Sequence, residues 1–197
     1  MEISAKMVKE LRDKTNVGLM DCKKALNEAN GDIKEAIKIL RKKGIAKAAE
    51  KSTRKAKEGL ICSYIHPGSK IGVLLELSCE TDFVARTEKF QELAKKIAMH
   101  IAATNPMGIS PEDIEQKVID EEREIYKAQA LNSGKPEKIV DKIIEGRLKK
   151  FYTENCLLNQ ALVMDENITI QQLLTESITE FGENISISRF ARFQIGK

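Results

Sequence analysis

Apolar residues between Ser4 and about Lys43 recur at helical spacing in three short stretches. The stretches are separated by Asn16-Val17-Gly18 and Asn30-Gly31-Asp32, which are typical turn sequences. We expect the third helix to end at Lys43 with Gly44 as its C-terminal cap, because basic residues suit the negative end of a helix. The pattern therefore predicts three short helices, marked in turn by Met7, Val8 and Leu11, by Met20, Ala25 and Leu26, and by Ile33, Ala36, Ile37 and Leu40.

Two β-rich runs follow, Leu60 to His66 and Ile71 to Ser78, and Pro67-Gly68-Ser69-Lys70 between them predicts a hairpin turn. A terminal strand is predicted from Ile185 to Ile195. Strands at both ends of a helical region are typical of an α+β fold with antiparallel strands rather than of alternating βαβ units. Between the strands, helical spacing covers three stretches: Asp82 to Thr104, Ser110 to about Asn132, and Pro136 through Phe151.

A strongly basic segment joins the two regions. Arg41 to Lys57 contains eight basic residues and one acid, so its local charge is +7, whereas the whole chain carries +3. The segment has few large apolar groups and predicts an exposed helical or flexible connector. RNA binding is the other function of such a run, but the aromatic or glycine-rich partners of RNA-binding modules are missing. We therefore divide the chain into a helical module at 1–44, a linker at 45–59 and a core domain at 60–197.

Composition narrows the class of protein. The chain has 197 residues, of which 42% are apolar and 32% are charged, so it has enough apolar residues for a core and an unusually charged surface. The absence of Trp and the small numbers of Phe and Tyr argue against modules that stack bases, so we expect no direct nucleic-acid binding. The charged N-terminus resembles no secretory signal and the apolar runs are too short to cross a bilayer, which predicts a cytoplasmic protein without membrane contact.

The chain lacks the usual patterns of covalent chemistry. Its four cysteines are too far apart in sequence for a zinc or redox motif, and its glycines form no phosphate-binding loop, so we expect no metal and no cofactor. His66 and His100 lie on different predicted elements, and a satisfied or surface histidine is the interpretation we favour for His100. The acid pair Glu121-Glu122 lies in a charge-rich helix. We therefore expect no catalytic residues and a protein that is not an enzyme.

One unusual segment places a large aromatic residue beside an acid where a predicted strand passes into a helix. It contains Asp82 and Phe83 within Cys79 to Arg86. One interpretation is that Phe83 begins the core face of the helix while Asp82 or Thr81 caps it. The other is that both side chains project from the domain. The spacing of the residues leaves both interpretations open.

Two long motifs resemble the signatures of the translation elongation factor Ts family. They are Leu11 to Leu26, with the sequence LRDKTNVGLMDCKKAL, and Glu76 to Arg86, with the sequence ELSCETDFVAR. The resemblance covers nearly the whole chain, because similar stretches recur at Ile97 to Ala103, Ser133 to Pro136, Glu145 to Phe151 and Phe181 to Ile185.

The resemblance implies a fold and a function. Family members have an N-terminal three-helix module like ubiquitin-associated domains, followed by a core of antiparallel strands and helices. They are guanine-nucleotide exchange factors that promote GDP release from elongation factor Tu during protein biosynthesis. The segment implied to enter the GTPase domain of Tu and to disturb its Mg²⁺ site consists of Thr81, Asp82, Phe83 and Val84.

The resemblance also implies further contacts with the GDP-bound partner. By motif match these are Arg12, Leu19, Met20 and Lys23 in the N-terminal module, and less closely His66, Phe181 and Gly182. The chain resembles the short form of the family, which has one core half instead of two, so we expect a homodimer in which the sheet strands meet. Asn16-Val17 departs from the usual Gly-Ala and could alter the first loop, whereas Leu19 in place of a methionine is a mild change.

A second hypothesis belongs to a different functional class. In a ubiquitin-like or RNA-binding adaptor, the N-terminal module and the basic linker would be the active parts, and the core would be inert. An exchange factor also needs the core segment at Asp82-Phe83.

Overall fold

The computed structural model describes residues 3–15, 17–133 and 136–196. Asn16, which we expected to alter the first loop, and Gly134-Lys135 of a family-like stretch lie outside the described residues. The helices are α1 (Ala5–Thr15), α2 (Leu19–Glu28), α3 (Ile33–Lys51), α4 (Asp82–Ala85), α5 (Glu88–Thr104), α6 (Gln116–Asn132), α7 (Glu137–Asn155) and α8 (Ile170–Phe181). The strands are β1 (Glu58–Ile65), β2 (Ile71–Cys79), β3 (Ala161–Leu162), β4 (Asp165–Thr169) and β5 (Ser186–Gln194).

Helices α1 to α3 confirm the predicted three-helix module. Their shared core is built from one apolar stripe per helix, with Leu11, Cys22, Leu26 and Ala36 inaccessible to solvent. Asp32 caps α3, because its carboxylate accepts a hydrogen bond of 3.0 Å from the backbone N–H of Glu35. The module thus forms where the apolar periodicity placed it.

Helix α3 does not end at Lys43, so the prediction of Gly44 as its cap is wrong. Gly44 is buried within the helix, which continues to Lys51. A Cβ atom at position 44 would lie 3.1 Å from Oγ1 of Thr179, which is closer than most such contacts. The missing side chain therefore allows α8 to approach α3 closely, and the first part of the predicted linker is helical.

The three-stranded antiparallel sheet has the order β1-β2-β5. The central strand β2 buries Val73, Leu75 and Leu77, which alternate along the strand and therefore share one face. A second sheet pairs β3 with β4 in antiparallel register, with Ala161 opposite Thr169. The mixture of antiparallel sheets and packed helices confirms the α+β class.

Contacts divide the chain into two compact units. The first comprises Met1–Leu60, Leu77–Gln91 and Gln172–Ser188, and the second comprises Ile61–Glu76, Glu92–Gln171 and Arg189–Lys197. The assignment of 1–44, 45–59 and 60–197 to a module, a linker and a core domain stays a prediction.

Within the second unit, α6 and α7 pack against each other. Their buried contacts include Ile119, Ala130, Ile144 and Leu148. The guanidinium carbon of Arg147 lies 5.6 Å from the centre of the Tyr126 ring, which adds a cation–π contact. Among the described residues, no helix is both long enough and apolar enough to cross a membrane.

Candidate functional site

The segment from Thr81 to Val84 forms a single helical turn at the end of β2. Thr81 has an extended backbone, and its hydroxyl oxygen accepts a long hydrogen bond of 3.5 Å from the backbone N–H of Val84. The N-cap is therefore Thr81, one of the two residues that the sequence allowed, and Asp82 is the first residue of the turn.

Phe83 projects from this turn into solvent. Its side chain is 81% exposed, whereas Ala85 is the residue of α4 that is buried. The interpretation in which Phe83 begins the core face of the following helix is therefore wrong. The reason is a break in the helix, because α4 ends at Ala85 and α5 begins at Glu88 with its own inward position at the fully buried Phe90.

Asp82 lies beside Phe83 and carries an accessible negative charge. Its carboxylate pairs with the guanidinium of Arg86 at 2.9 Å, one turn further along the chain. Both side chains are substantially exposed, so the pair contributes little to stability and can exchange for contacts with another molecule.

Glu183 braces the backbone that precedes the turn. Its Oε2 accepts hydrogen bonds from the backbone N–H groups of Glu80 at 3.1 Å and Thr81 at 3.0 Å. Its Oε1 accepts a hydrogen bond of 2.6 Å from the hydroxyl of Thr81. In return, the Glu80 carboxylate accepts a hydrogen bond of 2.6 Å from the backbone N–H of Asn184. The turn that carries Phe83 is thus tied to the segment that follows α8.

Cys79 is the last residue of β2, shortly before the Thr81–Val84 turn, and its thiol is buried. Its Sγ donates to the carbonyl oxygen of Thr81 at 3.1 Å. Burial raises the pKa of the Cys79 thiol, and the negative charge of Glu183 raises the pKa further. The thiol therefore stays protonated near neutral pH and is poorly suited to nucleophilic chemistry.

Phe181 and Gly182 lie at the C-terminal end of α8. The Phe181 ring is half-buried and meets Phe90 edge to face, with the ring centres 5.8 Å apart. Gly182 is exposed and adopts a φ of +76°, a left-handed conformation that ends the helix. Its carbonyl oxygen accepts a hydrogen bond from the Lys51 ammonium. Glu183 connects these two residues to the Thr81–Val84 turn.

The predicted contact residues of the N-terminal module lie on its surface. Leu19 and Met20 begin α2 and are 51% and 66% exposed, and Lys23 is exposed one turn further on the same side. Arg12 is exposed on α1. Met20 marks the second helix by its spacing but is not part of the core, and Cys22 is the buried residue of that turn.

His66 lies in the second unit, whereas the other predicted site residues lie in the first. It follows β1, and its backbone N–H donates to the carbonyl oxygen of Ile71 at 2.9 Å across the hairpin. The His66 ring is exposed, and its Nδ1 lies 3.1 Å from the hydroxyl oxygen of Tyr64.

His100 is buried and hydrogen-bonded, which is the first of the two alternatives, a satisfied or a surface histidine, that the sequence favoured. Its Nδ1 accepts from the backbone N–H of Val163 at 3.3 Å, so Nε2 carries the proton and donates to Oε1 of Gln160 at 2.9 Å. Burial lowers the pKa of His100.

Five of the eight basic residues between positions 41 and 57 have partners within the first unit. Such partners occupy donors that RNA phosphates would otherwise contact. The pairs are Arg41 with Glu176 at 3.6 Å, Lys43 with Glu28 at 2.5 Å, Lys47 with Asp21 at 3.0 Å, Arg54 with Glu80 at 3.8 Å, and Lys51 with the carbonyl oxygen of Gly182.

Comparisons with known proteins agree with the motifs. The family model described as elongation factor TS matches residues 1–197. The chain is 59% identical to elongation factor Ts of Fervidobacterium nodosum over 197 residues, which is the full length of both proteins. It is 58% identical to elongation factor Ts of Thermosipho melanesiensis over 195 residues, which cover 99% of this chain and 100% of the relative. The chain therefore belongs to the elongation factor Ts family.

Proposed function

We propose that this protein is a guanine-nucleotide exchange factor that promotes the release of GDP from elongation factor Tu during polypeptide elongation. The observation that carries the proposal is the highly exposed Phe83 on a turn that Glu183 holds in place. An aromatic side chain exposed to this degree gains stabilisation only by inserting into another molecule. Membership of the family supports the choice of partner.

The proposed mechanism is displacement rather than covalent chemistry. In GTPases, Mg²⁺ bridges phosphate oxygens and protein ligands, so a displacement of its surroundings weakens nucleotide binding. Thr81, Asp82, Phe83 and Val84 form the inserting segment, with Phe83 as an apolar wedge and Asp82 as a negative charge beside it. No bond is made or broken in this step, and the protein acts as a binding factor rather than an enzyme.

Binding of the factor and binding of GDP oppose each other. If the factor lowers the affinity of Tu for GDP, GDP lowers the affinity of Tu for the factor by the same ratio. The factor acts on the GDP-bound form of Tu. Because the coupling is reciprocal, incoming nucleotide then expels the factor. This cycle operates in the cytoplasm and requires no cofactor, membrane or nucleic acid.

Contacts outside the wedge supply affinity in this proposal. Leu19 and Met20 offer an exposed apolar pair at the start of α2, and Arg12 and Lys23 offer positive charges nearby in sequence. Three further residues are assigned to the partner surface by their motifs, namely His66, Phe181 and Gly182. Of these, His66 and Gly182 are exposed and Phe181 is half-buried.

We also propose that the protein is a homodimer. Four exposed apolar residues in or just after the strands of the three-stranded sheet line one groove: Ile65, Leu74, Phe193 and Ile195. A face of this kind is costly to leave in water, and a two-fold axis lets the same patch cover itself in a second copy.

The adaptor hypothesis receives no comparable support. Its active parts would be the N-terminal module and the basic segment. Acidic side chains of α2 and α8 neutralise part of that segment, for example Asp21 at Lys47 and Glu176 at Arg41. The family match over the whole chain favours the exchange factor instead.

Release of a fluorescent GDP from elongation factor Tu tests the proposed function. We expect the protein to accelerate release in a concentration-dependent manner that saturates. A protein that leaves the release rate at the level of Tu alone, while still folded by circular dichroism, would contradict the proposal.

A further inference from the structure

Two segments of the first unit hold each other through a reciprocal pair of carboxylates. Glu183 accepts from the backbone of Glu80 and Thr81, and Glu80 accepts from the backbone of Asn184. The side-chain amide of Asn184 also donates to the carbonyl oxygen of Arg54 at 2.8 Å. The backbone on which the Phe83 turn begins is therefore fixed from outside the turn.

The turn cannot hold this conformation through its own contacts. Helix α4 has four residues, and a helix of one turn in isolation is unstable because nucleation costs more than its few hydrogen bonds return. The Phe83 side chain makes no core contact that would orient it, since 81% of it is exposed. The direction of Phe83 is therefore set by the backbone of Thr81, two residues earlier.

We propose that Glu183 is the positioning residue of the exchange reaction, which holds the Thr81 backbone so that Phe83 projects in the inserting orientation. This inference rests on the proposed function. Three donors converge on its carboxylate at 2.6 to 3.1 Å, and hydrogen bonds to a charged acceptor are stronger than neutral ones. Glu183 itself acts through Phe83 and not on the partner.

Replacement of Glu183 with alanine tests this role in the GDP-release assay. Glu183→Ala should slow release at saturating factor by about tenfold, the loss expected from one hydrogen bond to a charged group. The concentration for half-maximal effect should change little, because the N-terminal contacts remain. Glu176→Ala is the matched control, since it removes an exposed carboxylate on the adjoining helix that pairs with Arg41, and it should release GDP at the wild-type rate.

A double-mutant cycle with Phe83→Ala separates positioning from a general structural role. If Glu183 acts through Phe83, Glu183→Ala should slow release much less when Phe83 is already absent. An equal decrease in both backgrounds would overturn the proposal, as would wild-type release by Glu183→Ala alone.

The conservative variant Glu183→Gln tests the role of the charge. Its amide oxygen still accepts from the two backbone N–H groups, so release should recover to within about threefold of the wild-type rate. Equal rates for the Gln and Ala variants would mean that an acceptor at this position does not restore release, and the positioning role would be wrong. If Glu183→Ala melts below the assay temperature, Glu183→Asp replaces it in the cycle, because its shorter side chain keeps the charge but cannot reach all three donors.

Hydrogen exchange keeps this test independent of the proposed function. In the unbound protein, the amides of Glu80 and Thr81 should exchange faster in Glu183→Ala than in the wild type, because they lose their acceptor. If neither the wild type nor Glu176→Ala accelerates GDP release from elongation factor Tu, the exchange function is contradicted. Unchanged hydrogen exchange of the Glu80 and Thr81 amides in Glu183→Ala would contradict the role of Glu183 in holding this backbone.

Discussion

At the scale of single residues, solvent exposure distinguishes Phe83 from Phe90, whereas helical spacing does not. Phe83 and Phe90 are seven residues apart, a separation that places both on one face of a continuous helix. Phe90 is fully buried and Phe83 is 81% exposed, because Arg86 and Thr87 interrupt the helix between them. The short interruption frees Phe83 for a role outside the fold.

Replacement of Phe83 with alanine should leave folding nearly unchanged and slow exchange. An exposed side chain contributes little to stability, so the free energy of unfolding should change by about 0.5 kcal/mol or less. Loss of an aromatic anchor costs roughly 2 kcal/mol or more, which corresponds to at least a thirtyfold slower GDP release. Ile125→Ala, at another exposed apolar residue, serves as the control. A variant that releases GDP at the original rate would show that Phe83 is not the wedge.

Replacement of Met20 with alanine should weaken complex formation more than it slows exchange at saturating factor. Met20 is 66% exposed, so the helical circular dichroism signal should be retained. Met164, which is also exposed at 50%, provides a methionine control. Unchanged affinity, measured by titration calorimetry against GDP-bound Tu, would contradict the contact role.

At the scale of secondary-structure elements, neighbours decide where helices end and which ones form. Gly44 would stop an isolated helix, but α3 continues past it because the glycine admits Thr179 of α8. Helix α8 itself was absent from the sequence prediction, although Ile170, Leu174 and Ile178 are buried at a spacing of four. That spacing was the available signal. Strand β3 has only two residues, too few to show an alternating pattern.

The contact between α5 and the β3–β4 hairpin should weaken in mild acid. His100 is neutral in the folded protein, and protonation of Nδ1 would remove its bond to the Val163 N–H. Because burial lowers the folded-state pKa of His100, the unfolded chain binds the proton more readily. The contribution is therefore complete above about pH 6.5, the pKa of an unperturbed histidine, and declines as the pH falls below it.

Denaturant unfolding of the wild type and of His100→Gln between about pH 7.5 and pH 5.5 measures this dependence around the histidine pKa. The wild type should lose free energy of unfolding more steeply than the variant. His66→Gln is the control, because His66 is exposed, and its profile should match the wild type. Parallel profiles for wild type and His100→Gln would contradict the prediction.

At the scale of the whole molecule, the three-stranded sheet exposes an apolar face that a partner would shield from water. Phe193 and Ile195 are 67% and 74% exposed on or just after β5, beside Ile65 and Leu74. In the proposed homodimer, a second copy of the chain covers this face by symmetry.

Light scattering at micromolar concentration should give twice the mass of the 22.1 kDa chain. Phe193→Asp should shift the mass towards that of a monomer, because a charge would be buried at the centre of the interface. Ile125→Asp places the same charge on an exposed helix outside the sheet and should leave the mass unchanged. A monomer mass for the wild type would contradict the homodimer.

The sequence by itself determined the α+β class, the N-terminal helices, the central hairpin and the family. Each of these is encoded locally, by apolar period, turn residues or a contiguous motif such as CETDFVAR. Spacing alone left open whether Phe83 lies in the core or projects from the domain, and it placed the end of α3 at Gly44 incorrectly. Tertiary structure decided these points, because exposure and helix length depend on packing between residues that are far apart in the chain. The hydrogen bond from the Thr81 N–H to Glu183, for example, joins residues 102 positions apart.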